Sequence, residues 1–246
     1  MRFIASVFLV FAFYACSKEE NKPDPTARDI SGTVQVSDEF GVVTNDVIGV
    51  TVTLSDGTRQ FSTQTFQGGK YIFDQVPFGK YFLAVSRTGY GTNKRFGIQN
   101  QKTIDSANYP LQLNQIGISQ MCTTTITSYS AKGTPNGAFD FWVAISPATG
   151  LGTTPRYFRI FVGKDSLIDW ENADVITPAW YLTGSGQSGN IRGALPPQYY
   201  PAGTKAWIRV YGDAGSNNMY YDSLLNKFVF PCMNLNTQPA ASLIVQ

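Results

Sequence analysis

The sequence predicts an all-β protein made of two tandem antiparallel β-sandwiches. The 246 residues are 14% aromatic and include 23 glycines and 13 prolines, a composition typical of strands and turns. Short runs in which apolar and polar residues alternate are separated by turn residues every ~8–12 positions. No helical period separates these runs, which favours sandwiches over mixed folds.

The first alternating run shows the pattern clearly. Val50, Val52 and Leu54 alternate with threonines, which predicts a strand with one buried face. Asp56-Gly57 then predicts a hairpin turn. Further strands are predicted in this half of the chain at Arg59–Thr65, Lys70–Asp74, Lys80–Arg87 and Tyr109–Leu113.

Several short motifs in residues 29–114 match a known pattern. They are Ile30–Val34 (ISGTV), Gly49–Leu54 (GVTVTL), Gly69–Phe73 (GKYIF), Val76–Tyr81 (VPFGKY) and Ser86–Tyr90 (SRTGY). This segment resembles the carboxypeptidase regulatory-like family, a prealbumin-type sandwich. The resemblance implies a non-catalytic domain that stabilises, spaces or binds, with no active residues.

Residues 115–246 are predicted to form the second sandwich, after a linker at Gln112–Gly117. Tyr199-Tyr200-Pro201 followed by Gly203–Tyr211 weakly resembles the approach to the sixth strand of fibronectin-type or immunoglobulin-like sandwiches. Strands are predicted at Ile116–Thr127, Phe139–Ile145, Tyr157–Val162, Trp180–Thr183, Lys205–Tyr211 and Phe228–Cys232.

The N-terminus carries an export signal. After Arg2, the apolar run Phe3–Ala15 is too short for a permanent membrane helix and ends before Cys16. Tyr14-Ala15-Cys16 resembles the lipobox of bacterial lipoproteins, which implies a signal at residues 1–15 and acylation of Cys16. Residues 16–28 are polar with two prolines, which predicts a flexible tether.

The residues after Cys16 bear on location. Ser17 stands where an aspartate would resemble an inner-membrane retention signal, and Lys18-Glu19-Glu20 resembles a signal for the outer face. We predict a lipid-anchored outer-membrane protein that faces the cell exterior. A merely soluble tether, and hence a periplasmic face, remains an alternative.

Composition excludes several kinds of chemistry. There is no histidine, which removes Ser-His-acid and Cys-His catalysis and imidazole metal sites. The net charge of +2 does not favour nucleic acid, and no phosphate-binding loop is present. We predict no enzyme, cofactor, metal, nucleotide or nucleic-acid partner.

Cys122 and Cys232 remain once Cys16 is acylated, too few for a zinc site. Both are predicted to face the core, and an oxidising compartment favours a disulfide between them. Two separate buried thiols are the alternative.

Two groups of residues are candidate sites. The aromatic residues Trp170, Trp180, Tyr220 and Tyr221 fall in or near predicted loops, where flat side chains could stack on a ligand; core filling is the alternative. The acidic cluster of Asp165, Asp169, Glu171 and Asp174 could bind calcium or supply a glycosidase pair. A solvated turn is the interpretation that we prefer for this cluster, since its spacing matches no calcium-binding loop and Lys164 beside it offsets part of the charge.

The leading functional prediction is a non-enzymatic, lipid-anchored surface protein. The first domain is the spacer and the second the binding head for a glycan, a peptide or a partner protein. A pilus or fimbrial subunit is the alternative, with Arg28 placed where a maturation protease could cut. A carboxylate-based glycoside hydrolase is a remote third. The ligand and the oligomeric state are left open.

Overall fold

The structure, a computed structural model, describes residues 26–103, 109–146, 154–183, 188–216 and 218–246. The predicted signal, Cys16 and most of the predicted tether lie outside the described residues. The described residues confirm the all-β prediction, with strands joined by turns and a 3₁₀ turn at Gln67–Gly69. No helix in these ranges has the length and apolar character needed to cross a membrane.

The first unit, residues 26–119, is a sandwich of two sheets. Its strands are β1 (Ala27–Ser37), β2 (Val43–Thr44), β3 (Thr51–Ser55), β4 (Gln60–Gln64), β5 (Lys70–Pro77), β6 (Gly79–Ser86), β7 (Asn93–Asn100), β8 (Leu111–Gln112) and β9 (Ile116–Ser119). One sheet has the order β4-β3-β6-β7, and in the other β1 pairs with β2, β5, β8 and β9. Val52 and Leu54 of β3 are fully buried between the sheets, because alternate residues of a strand point to the same face.

The border between the units lies further along the chain than predicted. In the structure β9 pairs in parallel with β1, with Val34 opposite Ile116 and Val36 opposite Ile118. Both isoleucines are buried in the first core, so the predicted linker at Gln112–Gly117 and the border after residue 114 are corrected. Alternation identifies buried residues but does not say which sheet a strand joins, so the pattern from Ile116 was read as the start of the second unit.

The second unit, residues 125–246, contains two further sheets and a hairpin. Its strands are β10 (Thr125–Thr134), β11 (Ala138–Ser146), β12 (Arg156–Gly163), β13 (Val175–Ile176), β14 (Trp180–Leu182), β15 (Ser188–Ala194), β16 (Lys205–Asp213), β17 (Tyr220–Asp222), β18 (Lys227–Val229) and β19 (Ala241–Ile244). One sheet has the order β10-β11-β15 and the other β13-β12-β16-β19, with β14 also paired to β12. The hairpin is β17-β18.

The sheet that contains β12 and β16 is covered on both faces. Ile160 of β12 faces the core between the sheets. Phe161 and Tyr211 face the other way and pack against Phe230 and Met233, which follow the hairpin. The hairpin and the chain after it therefore form a third layer over this sheet.

The units are joined end to end along β1. At its start, the carbonyl of Thr26 accepts a hydrogen bond from Phe78 N (3.2 Å). Beyond its other end, the carbonyl of Glu39 accepts one from Gly215 N (2.9 Å), and the Glu39 carboxylate contacts Arg156 (3.2 Å). An 11-residue strand spans about 36 Å, so the N-terminal end of β1 and the second unit lie at opposite ends of the first unit.

Candidate functional site

An apolar cleft lies on the outer side of the second unit, between the β17-β18 hairpin and the segment joining β13 to β14. Its volume is about 410 Å³. The side chains that line it are Arg159, Ile176, Thr177, Pro178, Met219, Phe228 and Phe230. An apolar lining with few polar groups is the usual composition of a ligand pocket.

The turn of the hairpin is fixed by its own sequence. Asp222 Oδ1 accepts hydrogen bonds from the backbone amides of Leu224 (3.0 Å) and Leu225 (3.2 Å). Asn226 then adopts a φ of +54°, a left-handed conformation that asparagine tolerates better than most residues. The turn thereby sets the register in which Tyr221 lies opposite Phe228.

Exposed apolar side chains of the hairpin lie on one side of the cleft. Tyr221 and Phe228 form an edge-to-face pair with ring centroids 5.4 Å apart, and their side chains are 46% and 44% exposed. Met219, Leu224 and Leu225 are also exposed. Contiguous apolar surface of this kind marks interaction sites in soluble proteins.

The floor of the cleft is a buried ion pair. Arg159 Nε and Nη2 each lie 2.9 Å from Asp213 Oδ2, and Nη1 donates to the carbonyl of Thr177 at 2.9 Å. The Phe230 ring covers the guanidinium, with its centroid 4.8 Å from Cζ. Burial raises the pKa of Asp213, although the Arg159 guanidinium opposes this. Because Asp213, the Thr177 carbonyl and the Phe230 ring all contact the Arg159 guanidinium, the ion pair holds this part of the cleft lining in place.

The structure places Tyr221, of the four predicted ligand-binding aromatics, at the mouth of the cleft. Tyr220 points from the other face of the hairpin toward Phe96 of the first unit, with ring centroids 6.5 Å apart. Trp170 packs with the cluster around Phe161. Trp180 packs against the second core, as the core-filling alternative expected.

Sequence analysis missed Met219, Phe228 and Arg159. Phe228–Cys232 was predicted as a core strand, whereas β18 ends at Val229 and Phe228 is exposed. The available signal was the pair of turn-favouring residues Asp222 and Asn226 between two aromatic-containing runs, which predicts a hairpin. No local signal shows that this hairpin covers a sheet.

The acidic cluster forms a hydrogen-bonded turn. Asp165 Oδ1 and Asp169 Oδ1 accept from backbone amides two residues further on, at 2.9 and 2.7 Å. Asp174 Oδ2 accepts from the hydroxyl of Tyr200 (3.0 Å), and burial together with this carboxylate raises the pKa of Tyr200. Across the described ranges no three His, Cys, Asp or Glu residues are grouped to hold a metal.

The remaining carboxylates of the second unit have cationic partners. The pairs are Asp140–Arg192, Glu171–Lys227, Asp213–Arg159 and Asp222–Lys94. Each acidic side chain of this unit is thus engaged by other groups of the chain. Asp165 and Asp174 do line one pocket of about 320 Å³, together with Lys164, but Asp165 accepts from the amide of Leu167 and Asp174 from the hydroxyl of Tyr200.

The two cysteines are neighbours. Cys122 N donates to the carbonyl of Cys232 at 2.9 Å. Both are buried and unbridged in the structure, and the disulfide between them stays a prediction. Cys122 lies in the connection between the units and Cys232 after the hairpin. Burial raises the pKa of Cys122 to about 11 and that of Cys232 to about 12.

Arg28 is part of a paired strand. It lies in β1 opposite Val76 of β5, and its Nε donates to Oδ1 of the fully buried Asn100 at 2.8 Å. A maturation protease requires an accessible segment, so this position counts against cleavage after Arg28 in the folded protein.

No protein-family model matches the sequence, and no curated protein matches it. Similarities to solved structures are remote. A Bacteroides uniformis protein to which carbohydrate binding is provisionally assigned is 9% identical, over 91% of this chain and 100% of that chain, with a TM-score of 0.33. A DUF3823 family protein from Bacteroides ovatus is 11% identical, over 89% and 100%, with a TM-score of 0.31. The major pilin SpaD from Corynebacterium diphtheriae is 11% identical, over 87% and 65%, with a TM-score of 0.29. None of these similarities assigns a site or a ligand to this chain.

Proposed function

We propose that the protein is a non-enzymatic, lipid-anchored outer-membrane protein whose second unit binds a ligand in the hairpin cleft. The observation that carries the proposal is the apolar cleft of about 410 Å³ beside the exposed Tyr221–Phe228 pair. Exposing such side chains to water is unfavourable, so a functional contact is the simplest reason to retain them.

The position of the cleft supports the division into spacer and head. The first unit separates the N-terminal end of β1 from the second unit, so a chain acylated at Cys16 would hold the second unit away from the membrane. The first unit is itself tightly filled by apolar side chains, which suits a spacer.

Binding is tested by ligand-observed NMR of the exported protein against a library of small fragments. We expect a set of fragments to bind the parent protein and to lose at least tenfold in affinity to Phe228→Ala. Tyr109→Ala is the matched control, because Tyr109 is an exposed aromatic residue of the first unit. Equal binding by all three proteins would refute the cleft as the site.

The anchor is tested separately. Cys16→Ser removes the thiol that would form the thioether, so we expect the variant to leave the membrane fraction or to keep its signal. Normal cleavage with unchanged partition into detergent would refute lipid attachment without affecting the binding proposal.

A further inference from the structure

Strand β18 has an unpaired edge. In the hairpin it pairs with β17 through Tyr221–Phe228 and its neighbouring positions. No other strand in the described part of the chain pairs with β18. The backbone amides and carbonyls on that side therefore have no strand partner among the described residues, and an edge of this kind can pair with another strand.

The cleft lies on the side toward which a strand added there would direct its side chains. Phe228 of β18 lines the cleft, as does Phe230 two residues later. Residues opposite each other in paired strands point to the same face of the sheet. The residue paired with Phe228 on an added strand would therefore direct its side chain to the face of the hairpin that lines the cleft.

The charge in the lining of the cleft is already neutralised within the chain. Arg159 is the charged residue among the lining side chains, and it is paired with the buried Asp213. A charged ligand group entering here would lose its hydration without gaining a counter-ion. The electrostatics therefore favour an uncharged occupant.

We infer that the cleft binds an extended, uncharged peptide segment of a partner protein, which pairs with β18 as a third strand and inserts one apolar side chain. This inference rests on the proposed binding function and names its ligand class. Backbone pairing supplies affinity and the cleft supplies side-chain selectivity, which is how sheet edges recognise peptides. A glycan fits less well, because a lining dominated by apolar side chains offers few partners for hydroxyl groups.

The test uses the full exported protein and a displayed library of random nine-residue peptides. We expect selection of uncharged peptides that contain a bulky apolar residue. Each selected peptide is then N-methylated at one position at a time. If the peptide pairs with β18, N-methylation at alternate positions should reduce its affinity at least tenfold, because alternate amides of an added strand donate hydrogen bonds to its partner.

Met219→Trp tests the cleft by filling it, and we expect at least a tenfold loss of peptide affinity. Tyr109→Ala should bind as the parent does, and the melting temperature of each variant shows that it is folded. Soluble xylan, mannan and starch are tested in parallel. The inference would be overturned if the affinity losses caused by N-methylation did not alternate along the peptide. It would also be overturned if the protein bound a polysaccharide and no peptide, and Met219→Trp weakened that binding. In either case the second unit would still be a binding head. If neither Met219→Trp nor Phe228→Ala changed the affinity for any peptide, polysaccharide or fragment, both proposals would be overturned.

Discussion

The Nζ atom of Lys94 lies 3.1 Å from Oδ2 of Asp222, and this ion pair attaches the hairpin of the second unit to β7 of the first. Asp222 is 1% exposed. Its other carboxylate oxygen, Oδ1, accepts hydrogen bonds from the two backbone amides that shape the hairpin turn. One carboxylate therefore determines both the form of the hairpin and its position beside the first unit.

The Asp222 pair predicts a loss of stability in acid. Burial alone would raise the pKa of Asp222, but hydrogen bonds from Lys94 and two backbone amides outweigh burial and lower it. A carboxyl with a lowered folded-state pKa contributes stability above its unfolded pKa of about 3.9 and loses it as the pH falls through the folded pKa. We expect Asp222→Asn to be about 1–3 kcal/mol less stable at pH 7, and the difference from the parent to shrink below about pH 4. Thermal unfolding followed by circular dichroism at pH 7 and in acid measures this; a difference that is constant with pH would contradict it.

Gly91 predicts a steric effect at the junction of the units. A Cβ on Gly91 would lie 2.5 Å from the carbonyl oxygen of Pro231 and 2.6 Å from Cys232 Sγ. We expect Gly91→Ala to reduce the free energy of unfolding by about 1–3 kcal/mol, because backbone must move. Gly117→Ala is the control, since its Cβ would meet only Asn218 Oδ1 at 3.3 Å. Urea unfolding compares the two, and equal effects would show that the contact at Gly91 is tolerated.

The cysteine pair predicts a disulfide in the exported protein. The structure places Cys122 and Cys232 side by side, and the outer-membrane location that we propose would expose them to an oxidant. The bridge would stabilise the protein by about 4–5 kcal/mol in the chain-entropy model. We expect denatured protein to react with iodoacetamide at these two positions only after reduction, as read by intact mass. Full alkylation without reductant would show two thiols, whose high pKa already protects them in the native state.

The position of β9 predicts where the chain can be divided. A fragment of residues 29–114 lacks Ile116 and Ile118, which are buried in the first core. Loss of such side chains costs about 2–5 kcal/mol each, and small domains have little stability to spare. We expect residues 26–121 to unfold cooperatively on heating and residues 29–114 to give a flat trace by circular dichroism. Cooperative melting of the shorter fragment would mean that β9 is dispensable.

The sequence predicted β3 and β6, whose two faces differ, and missed β7 and β15. Alternation along β3 and β6 is clear because one face of each is buried. In contrast β7 and β15 end their sheets and contain glycine and asparagine, residues depleted in strands. An edge strand has one neighbour, so its sequence is less constrained by packing.

The candidate site was predictable only in part. Tyr221 could be placed on a hairpin from local turn chemistry. The cleft itself requires Ile176 and Phe230, which are distant in sequence, to meet over β12. Periodicity reports burial along one strand and carries no information on which layers come together. The same limit explains why Trp170 and Trp180 were taken as ligand candidates although they pack against buried clusters.

The parallel pairing of β1 with β9 has a mechanical consequence. The tether enters β1 at Ala27, and the second unit is reached from β9 after Ser119. A force between anchor and head would pull these two strands in opposite directions along their length. This force would load the hydrogen bonds between the strands together, in shear. The paired positions of β1 and β9 run from Val34–Ile116 to Ser37–Ser119, and nearer the start of β1 the strand pairs with β8 at Ile30–Leu111 and Ser31–Gln112. Strands loaded in shear must break several hydrogen bonds at once before they separate, so we expect the first unit to resist stretching between Ala27 and the second unit.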